Sequence, residues 1–517
     1  MPDDATASAP VPPRARRPVA TPAAPAAVAV GAALLARSAS QTLAEQLAGH
    51  YAARIRQRLL LPGARLPSVR ESARRHRVSP STVVAAYDQL LAQGLVEAKR
   101  QRGFFVRGVD IATHDAPPAT PRLEFTTETA QRPVAPLRPP PVDATALIRG
   151  MFAADAQHPA PGLGTLPAEW LDAAMLQTAL RRVMAPAKSA STSHQPSSYL
   201  HYGEPAGDTR LRHALAQRLA DFGVPANPTQ IVTANGATHA LDICSRALLA
   251  PGDAVLVDEP GWSVEFARLT QLGMRLLPVP RGVDGPDLGA MAALAQAHQP
   301  RLYVTCSVLH NPTGVSLGLA AAHQVLRLAE QHDFRILEDD TYAHLAPAHA
   351  PRLSALDGLR RTIYVSGFAK ILAPGWRVGF MAAPPELVER FVDVKLLGTL
   401  TTPALLEQAV AVCLEQGWLR RHAERVIARL GAARTRSVKL ALAAGCRFVT
   451  PPAGLFGWVD TGLDTERLAT DMLDAGWLLA PGTVFHPNRQ PSTLMRINFA
   501  TTQDPRFWQA FEKARAG

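Results

Sequence analysis

Cysteine is scarce in this chain: its 517 residues include four, at Cys244, Cys306, Cys413 and Cys446. They are widely spaced and form neither a CxxC pair nor a Cys/His pattern typical of a metal site. We therefore expect reduced cysteines, a cytoplasmic location and no metal. No apolar run approaches the roughly 20 residues that a membrane helix needs, so no membrane partner is predicted.

Acidic residues are depleted in the first fifth of the chain. Residues 1–108 contain 16 Lys and Arg against 6 Asp and Glu, a net charge of +10, whereas residues 109–517 contain 38 against 37. This asymmetry indicates that a small basic domain contacts a polyanion such as DNA, and a solvated basic surface is the alternative. The length alone requires two or more domains.

Residues 1–37 are rich in alanine and proline. Arginines precede an Ala/Val run as in a signal peptide, but Pro22 and Pro25 interrupt that run. We therefore predict a disordered extension over residues 1–37.

Helix signals begin directly after this extension. Apolar residues recur every four positions from Leu43 to Leu59 and predict a first helix that stops at Pro62. Ser68 and Glu71 form a capping box that predicts a second helix over Val69–His76.

A third helix and a hairpin complete this segment, which we assign to residues 38–108. Ser79 caps the helix and Pro80 takes its first position, while residues 96–106 predict two strands around a basic turn. The order of LPSVRE, VSPSTVVAAYDQL and GLV resembles the winged helix-turn-helix domain of the GntR family of bacterial repressors. This mainly α domain implies binding to double-stranded DNA, and a three-helix bundle without a DNA role is the alternative.

The predicted DNA contacts are polar and basic residues at the helix starts and in the wing. The third helix has no Lys or Arg, so it offers no arginine to read guanine. The predicted DNA-binding residues are Ser68, Arg70, Ser79, Ser81, Thr82, Lys99, Arg100 and Arg102, with added phosphate-neutralising charge from Arg74 and Arg75. Arg77 replaces a glycine usual in this family, which predicts strain in the turn.

Residues 109–161 lose periodicity and gather prolines, including Pro139, Pro140 and Pro141. This composition predicts a semi-rigid linker, long enough for the DNA-binding domain of one subunit to reach its partner. From residue 162 to residue 517, short apolar runs alternate with amphipathic helical stretches, which predicts an α/β domain with a mainly parallel sheet.

One segment of the large domain has the pattern of a pyridoxal phosphate site. In SGFAKILAPGWRVG, Lys370 is followed seven residues later by Arg377, after a turn with proline and glycine. A lysine amine can form a Schiff base with the cofactor aldehyde, and arginine can bind its phosphate through two donors. A basic surface turn is the ordinary explanation.

Polar residues that follow predicted strands fit the same cofactor, because ligands collect at the carboxyl ends of parallel strands. Gly236, Ala237 and Thr238 begin a helix whose amides can bind phosphate. Trp262 can stack on the pyridine ring, and Asn311 can donate to the ring hydroxyl. Plain turns and a core tryptophan are the alternatives.

Asp339, the middle residue of an acidic triplet, can keep the pyridine nitrogen protonated, and Tyr342 can bind the ring oxygen. Solvated acidic residues are the ordinary explanation of this triplet. The order of these motifs before Lys370 resembles fold-type I aminotransferases. The resemblance implies a PLP-dependent transferase fold with a smaller C-terminal α+β subdomain. It also implies that Tyr202 reaches the phosphate site of the neighbouring subunit and that Arg496 pairs with a substrate carboxylate. A solvated edge-strand arginine is the alternative for Arg496.

The sequence departs from this family at two positions near the lysine. Gly367 and Ala369 stand where small hydroxyl residues are usual, which predicts a weaker hold on the phosphate. We expect Ser366 to compensate in part.

The combination of the two domains resembles the MocR subfamily of bacterial transcriptional regulators. This resemblance implies a cytoplasmic homodimer, commonly head to tail, that is associated with the nucleoid when it is bound to DNA. The leading hypothesis is a sensor in which an amine, amino acid or cofactor vitamer displaces Lys370 and forms an external aldimine. The alternatives are an active aminotransferase that also binds DNA and a DNA-bound scaffold with an inactive pocket.

Overall fold

The computed structural model describes residues 41–56, 60, 63–99, 103–107, 160–185 and 200–516. The predicted N-terminal extension, most of the predicted linker, and Arg100 and Arg102 of the predicted wing lie outside these residues. The assignments made for them, and the domain boundaries at residues 38–108 and 162–517, stay predictions.

The N-terminal domain contains three helices and a hairpin, in the order expected of a winged helix-turn-helix. Its elements are α1 (Leu43–Arg56), α2 (Val69–His76), α3 (Pro80–Ala92), β1 (Val96–Lys99) and β2 (Gly103–Val106). The two strands pair antiparallel, and apolar side chains of the three helices meet in one core around Tyr51 and Tyr87.

Both predicted caps are present. Ser68 Oγ accepts from the backbone amide of Glu71 at 3.2 Å, and Ser79 Oγ accepts from that of Thr82 at 3.1 Å. These bonds satisfy amides that have no partner within a helix. The start of each helix was therefore visible in the sequence.

The strain predicted at Arg77 is also present. Arg77 ends α2 with a φ of 53° and a ψ of 43°, in the left-handed region. A side chain with a Cβ is disfavoured there by about 1–2 kcal/mol, which glycine avoids. The turn before α3 keeps its usual shape at this cost.

The large domain is built on an eight-stranded sheet with the order β3-β10-β9-β8-β7-β4-β5-β6. The neighbours β9-β8-β7-β4-β5 are parallel, whereas β10 and β6 pair antiparallel, so the predicted mainly parallel sheet is confirmed. The strands are β3 (Ile231–Ala234), β4 (Ala254–Glu259), β5 (Arg275–Gly282), β6 (Gly285–Pro286), β7 (Leu302–Thr305), β8 (Arg335–Asp339), β9 (Thr362–Gly367) and β10 (Gly379–Ala382).

Helices cover this sheet, and its central strands are buried, as is usual when parallel strands lie between helical layers. The helices are α4 (Ala173–Met184), α5 (Thr209–Asp221), α6 (Ala237–Leu248), α7 (Ser263–Gln271), α8 (Leu288–His298), α9 (Leu319–Gln331), α10 (Leu353–Asp357), α11 (Pro385–Thr399) and α12 (Ala404–Glu415). None of the helices in the described part of the chain combines the length and apolar composition that a membrane span requires.

The C-terminal part forms the predicted α+β subdomain. An antiparallel sheet with the order β11-β12-β14-β13 packs with three helices. The elements are α13 (Trp418–Ala443), β11 (Arg447–Phe448), β12 (Phe456–Asp460), α14 (Thr465–Asp474), β13 (Ala480–Pro481), β14 (Leu494–Asn498) and α15 (Pro505–Ala516).

Candidate functional site

A cavity at the carboxyl ends of β4, β7 and β8 brings together most of the predicted site residues. Its lining includes Ala237, Thr238, Trp262, Asn311, Asp339, Tyr342, Lys370, Arg377 and Arg496. Gly236 directly precedes this lining, at the start of α6. Tyr202 lies away from the cavity, on the surface. The fold thus joins residues that are up to 259 positions apart in the printed sequence.

Lys370 follows β9 in a tight turn and keeps part of its side chain exposed to the cavity. Burial lowers its pKa to about 8, and the charge of Arg496 adds to this effect, whereas Asp339 opposes it. An amine with such a pKa has a neutral, nucleophilic fraction near neutral pH. Lys370 is therefore suited to bond an aldehyde.

The acidic triplet at the end of β8 divides into one cavity residue and two structural residues. Glu338 accepts from the backbone amides of Leu353 and Ser354, both at 2.8 Å, and Asp340 pairs with Arg352 at 2.6 Å. Asp339 faces the cavity because successive side chains of a strand alternate between its two faces. The structure thus places the residue that we predicted, and not its neighbours, in the pocket.

The environment of Asp339 suits a partner with a positive charge. Burial raises its pKa to about 6, the hydrogen bonds from Thr341 oppose this, and the nearby charge of Glu265 raises it further. Oδ1 accepts from the Thr341 amide at 3.0 Å and from the Thr341 hydroxyl. A protonated pyridine nitrogen at the other oxygen would hold this carboxyl in its ionised form.

The residues predicted to hold the phosphate, which we call the cradle, lie where the amino end of α6 meets the turn that carries Arg377. Gly236 has a φ of 84°, and a Cβ there would lie 2.3 Å from Nη2 of Arg377. Arg377 Nη2 also donates to the Asn235 carbonyl at 3.0 Å. Across the loop, a Cβ on Gly379 would lie 2.6 Å from the Ala237 nitrogen. Only glycine fits these positions, which leaves helix amides and a guanidinium open to one anion.

The same crowding explains Gly367. A Cβ there would lie 3.3 Å from the Ala237 nitrogen and 3.2 Å from the Val378 carbonyl, so a side chain would press on the cradle. The expectation that Ser366 compensates is wrong. Its buried hydroxyl donates to the Asp340 carbonyl at 2.8 Å, which directs its single proton away from the cradle.

Arg496 is buried, and the alternative of a solvated edge-strand arginine is wrong. It lies on β14, between β12 and β13, and is 6% exposed. Nη1 donates to Asn311 Oδ1 at 2.7 Å and Nη2 to the Gly162 carbonyl at 2.5 Å. The rings of Phe456 and Phe485 lie 4.4 and 5.0 Å away. Burial lowers its pKa to about 10, so it stays charged at neutral pH and can exchange these oxygens for a carboxylate.

Three side chains occupy the positions predicted to surround the ring. Trp262 directly precedes α7 and lines the cavity. Asn311 uses its oxygen for Arg496, which leaves its amide donors for a ring oxygen. Tyr342 is buried and packs edge-on to Phe456 at 5.4 Å between ring centroids. These roles stay predictions, but the residues fit a planar heterocycle.

A buried cluster at the wall of the cavity was not assigned from the sequence. Asp258 accepts from Arg281 at 3.1 Å, from Tyr303 at 2.6 Å and from Thr305 at 2.7 Å. His310 lies 3.5 Å from the same carboxylate, and burial holds its pKa well below the usual value, so it is neutral. The cluster lies beside the turn that carries Asn311. The strand-end motifs contained Asp258 and His310, but nothing local indicated Arg281.

The N-terminal domain presents part of its predicted DNA-binding set to solvent. Arg70, Ser79 and Ser81 are exposed. Lys99 is about half-exposed and pairs with Glu97 at 2.9 Å. Arg75 instead points at carboxylates of α14, so the expectation that it supplies charge to DNA is wrong.

Fold and site together are those of a PLP-type aminotransferase joined to a DNA-binding domain. A family model described as "Aminotransferase class I and II" matches residues 171–512, and one described as "Bacterial regulatory proteins, gntR family" matches residues 43–106. The chain therefore belongs to the aminotransferase class I and II family and, with its GntR domain, to the MocR-type regulators. Aminotransferases of this family depend on pyridoxal phosphate, which the cavity residues fit, and the GntR domain implies DNA binding.

Two regulators and one aminotransferase of known structure are similar to this chain. The chain is 30% identical over 389 residues to the "Probable rhizopine catabolism regulatory protein MocR" of Rhizobium meliloti, covering 74% of this chain and 72% of that protein. It is 28% identical over 485 residues to the "Uncharacterized HTH-type transcriptional regulator YdcR" of Escherichia coli (strain K12), covering 92% and 97%. LysN, an alpha-aminoadipate aminotransferase of Thermus thermophilus, shares the fold at 24% identity, with a TM-score of 0.64 over 72% of this chain and 95% of that chain.

Proposed function

We propose that this protein is a transcriptional regulator whose large domain senses an amine, amino acid or cofactor vitamer through bound pyridoxal phosphate. The observation that carries the proposal is the presence, in one chain, of a GntR-type domain with exposed Arg70, Ser79 and Ser81 and a cavity lined by Lys370, Asp339 and Arg496. Binding to DNA also places its action in the bacterial cytoplasm.

Each pocket residue has a separate role in the proposed sensing. The cofactor supplies an aldehyde that reacts reversibly with amines and a ring that withdraws electrons. Lys370 offers the amine that an effector displaces, and Arg377 with the Gly236 turn holds the phosphate. Arg496 binds an effector carboxylate, and this preference favours amino acids over simple amines. The effector shifts the protein only as far as its affinities for the two arrangements differ.

A homodimer is part of the proposal. Tyr202 is 80% exposed, and Leu200, Leu397 and Leu400 are 73%, 92% and 50% exposed. Large apolar side chains that gather in one exposed patch mark contact surfaces, and Leu397 and Leu400 lie three positions apart at the end of α11. We infer that a second copy covers them and that Tyr202 reaches the phosphate site of that copy.

A second candidate function is turnover as an aminotransferase. It is favoured by the presence of Lys370, Asp339 and Arg496 in one cavity, because a carboxylate at the ring nitrogen makes the ring the electron sink that transamination requires. In this case the large domain acts on the amino acids that it recognises.

A visible absorption titration distinguishes these functions. We expect purified, cofactor-loaded protein to show the band of lysine-bound cofactor, and a compound from a panel of amino acids, amines and pyridoxine vitamers to shift that band and stop there. Replacement by the pyridoxamine form, with recovery on adding a keto acid, would establish turnover instead. No band in the loaded protein would refute the sensor proposal.

A separate prediction concerns the salt dependence of DNA binding by the N-terminal domain. Arg70 is exposed at the start of α2, so Arg70→Gln should remove about one phosphate contact and lower the slope of log affinity against log salt by about 1. The measurement is fluorescence anisotropy with duplex DNA over a range of salt concentrations. Arg181→Gln, in an exposed arginine of the large domain, is the matched control. Equal slopes for both variants would show that Arg70 does not contact a DNA phosphate.

A further inference from the structure

The DNA-binding domain is held on the C-terminal subdomain by a cluster of opposite charges at the end of α14. Arg54 of α1 and Arg75 of α2 both contact the carboxylate of Asp474. Arg75 also pairs with Asp471 at 2.6 Å, and Arg54 donates to the Leu473 carbonyl at 3.1 Å. Two guanidinium groups thus meet two carboxylates and the carbonyl end of a helix, where positive charge is favoured.

This cluster is buried although it joins two domains. Arg54 is 4% exposed and Asp474 is 7% exposed. Two neighbouring histidines add no competing charge, because burial lowers the pKa of His50 to about 3 and lowers that of His76. Charged side chains are rarely buried unless they are paired, so the pairing is specific to this docked arrangement.

The rest of the contact is loosely packed. A cavity of about 560 Å³ lies beside the cluster, between Leu66 and Pro67 of the DNA-binding domain and Leu473, Leu479 and Val484 of the subdomain. Domain contacts of this polar, open kind are typical of pairs that dock and separate. The charge cluster therefore provides most of the specificity of the contact.

The docked domain remains able to read DNA. Ser79, Ser81 and Arg70 are exposed while Arg75 is engaged. The contact consequently sets the direction in which the reading surface points and does not mask it. The semi-rigid linker predicted over residues 109–161 would not set this direction, since a Pro-rich chain keeps its direction over only several residues.

The docking surface, formed by Asp471 and Asp474, is also connected to the cofactor pocket. The Gly162 carbonyl accepts from Arg496 Nη2 at 2.5 Å, and the Gly162 amide donates to the Leu478 carbonyl at 2.7 Å. Leu478 lies four residues after Asp474, in the segment that joins α14 to β13. An effector carboxylate that accepts from Nη2 of Arg496 would compete with the Gly162 carbonyl for this donor. Loss of that hydrogen bond would loosen Gly162, whose amide is bonded to Leu478 next to the docking surface.

We propose that Asp471 and Asp474 form the docking surface that fixes the orientation of the DNA-binding domain and thereby the distance between the two half-sites read by a dimer. The proposal rests on the proposed DNA-binding function. Two identical readers docked in one orientation select DNA elements at one spacing, whereas readers that are only tethered accept many spacings.

Selection of DNA from a random duplex library tests this proposal with the full, cofactor-loaded chain. We expect the wild-type protein to enrich a repeated element at one spacing, preferred by about tenfold over spacings a few base pairs longer or shorter. Asp471→Asn and Asp474→Asn should enrich the same element with this preference reduced to about twofold or less. Glu466→Gln, in a half-exposed acid of the same helix, should select as the wild type does.

Each other result overturns the proposal. Unchanged spacing in both aspartate variants would mean that the cluster does not orient the reader, and a changed element would mean that the reader itself is altered. The same loss in Glu466→Gln would indicate general damage to α14. Asp474→Asn leaves Arg54 buried without its carboxylate and can unfold on heating to the assay temperature. In that case Asp471→Asn decides the matter, because the Asp471 side chain is 25% exposed and its replacement is milder. No enrichment by the wild-type protein would instead refute the proposed DNA-binding function.

Discussion

Replacing Lys370 with alanine is expected to abolish covalent attachment of pyridoxal phosphate and every effector response that depends on it. Lys370 supplies an amine at the cavity whose pKa burial and Arg496 lower to about 8. The variant should still bind the cofactor through Arg377 and the Gly236 turn, but without the bond that an effector exchanges. Borohydride reduction followed by peptide mass spectrometry should find an adduct on the Lys370 peptide of the wild-type protein and none in Lys370→Ala.

Lys395 provides a control within the same sample. Burial also lowers its pKa to about 8, so its amine is as easily neutralised as that of Lys370. Its Nζ is buried, however, and donates to Thr233 at 3.1 Å and to Thr402 at 3.4 Å, outside the residues that line the cavity. An adduct on Lys395, or an adduct retained in Lys370→Ala, would contradict the assignment.

The lowered pKa of Lys370 fixes the sign of a pH dependence. Only the neutral amine attacks an aldehyde, so cofactor loading of the free protein should accelerate as the pH rises through about 8. We expect loading at pH 7 to be about tenfold slower than the plateau above pH 9, since one pH unit changes the neutral fraction about tenfold below the pKa. A rate that is flat over this range would place the controlling group elsewhere.

Local signals in the sequence predicted much of the fold. Ser68 and Ser79 marked two helix starts because a cap depends on residues only three positions away. The motifs around Asn311 and Lys370 pointed to one cofactor because strand ends that are adjacent in a parallel sheet converge whatever the intervening helices contain. These features need no knowledge of distant partners.

Features that depend on distant partners were not predictable. The direction of Arg496 is set by the Gly162 carbonyl, 334 positions away, and that of Arg75 by Asp474, 399 positions away. A sequence shows Arg75 as one more basic residue of a DNA-binding helix, since no local pattern distinguishes a docked arginine from one that neutralises phosphate. The prediction for Ser366 was wrong for the same reason, because its acceptor, the Asp340 carbonyl, directly follows the neighbouring strand β8.

The ion pair behind Asp339 should have the largest effect on stability. Arg352 and Asp340 are both 0% exposed, and Arg352 Nε donates to Asp340 Oδ2 at 2.6 Å. Tyr364 donates to the same oxygen at 2.8 Å, and the Arg352 guanidinium lies 4.3 Å from the Phe222 ring centroid. Arg352→Met should lower the free energy of unfolding of the large domain by about 3–5 kcal/mol, because it leaves a buried carboxylate without its partner.

Denaturant unfolding followed by tryptophan fluorescence measures this loss, and three further variants, Arg360→Met, Asp340→Asn and a double variant, separate its causes. Arg360→Met removes an arginine whose side chain is 78% exposed and pairs with Asp357 at 3.9 Å, so it should change stability by less than about 0.5 kcal/mol. Combining Arg352→Met with Asp340→Asn should recover part of the loss, because an amide is less costly to bury than a charge. If the double variant is as unstable as the sum of the single variants, the loss comes from packing around Phe222 and not from the unpaired carboxylate. In that case the pair does not hold the end of β8, and the position of Asp339 depends on the hydrogen bonds of Glu338 instead.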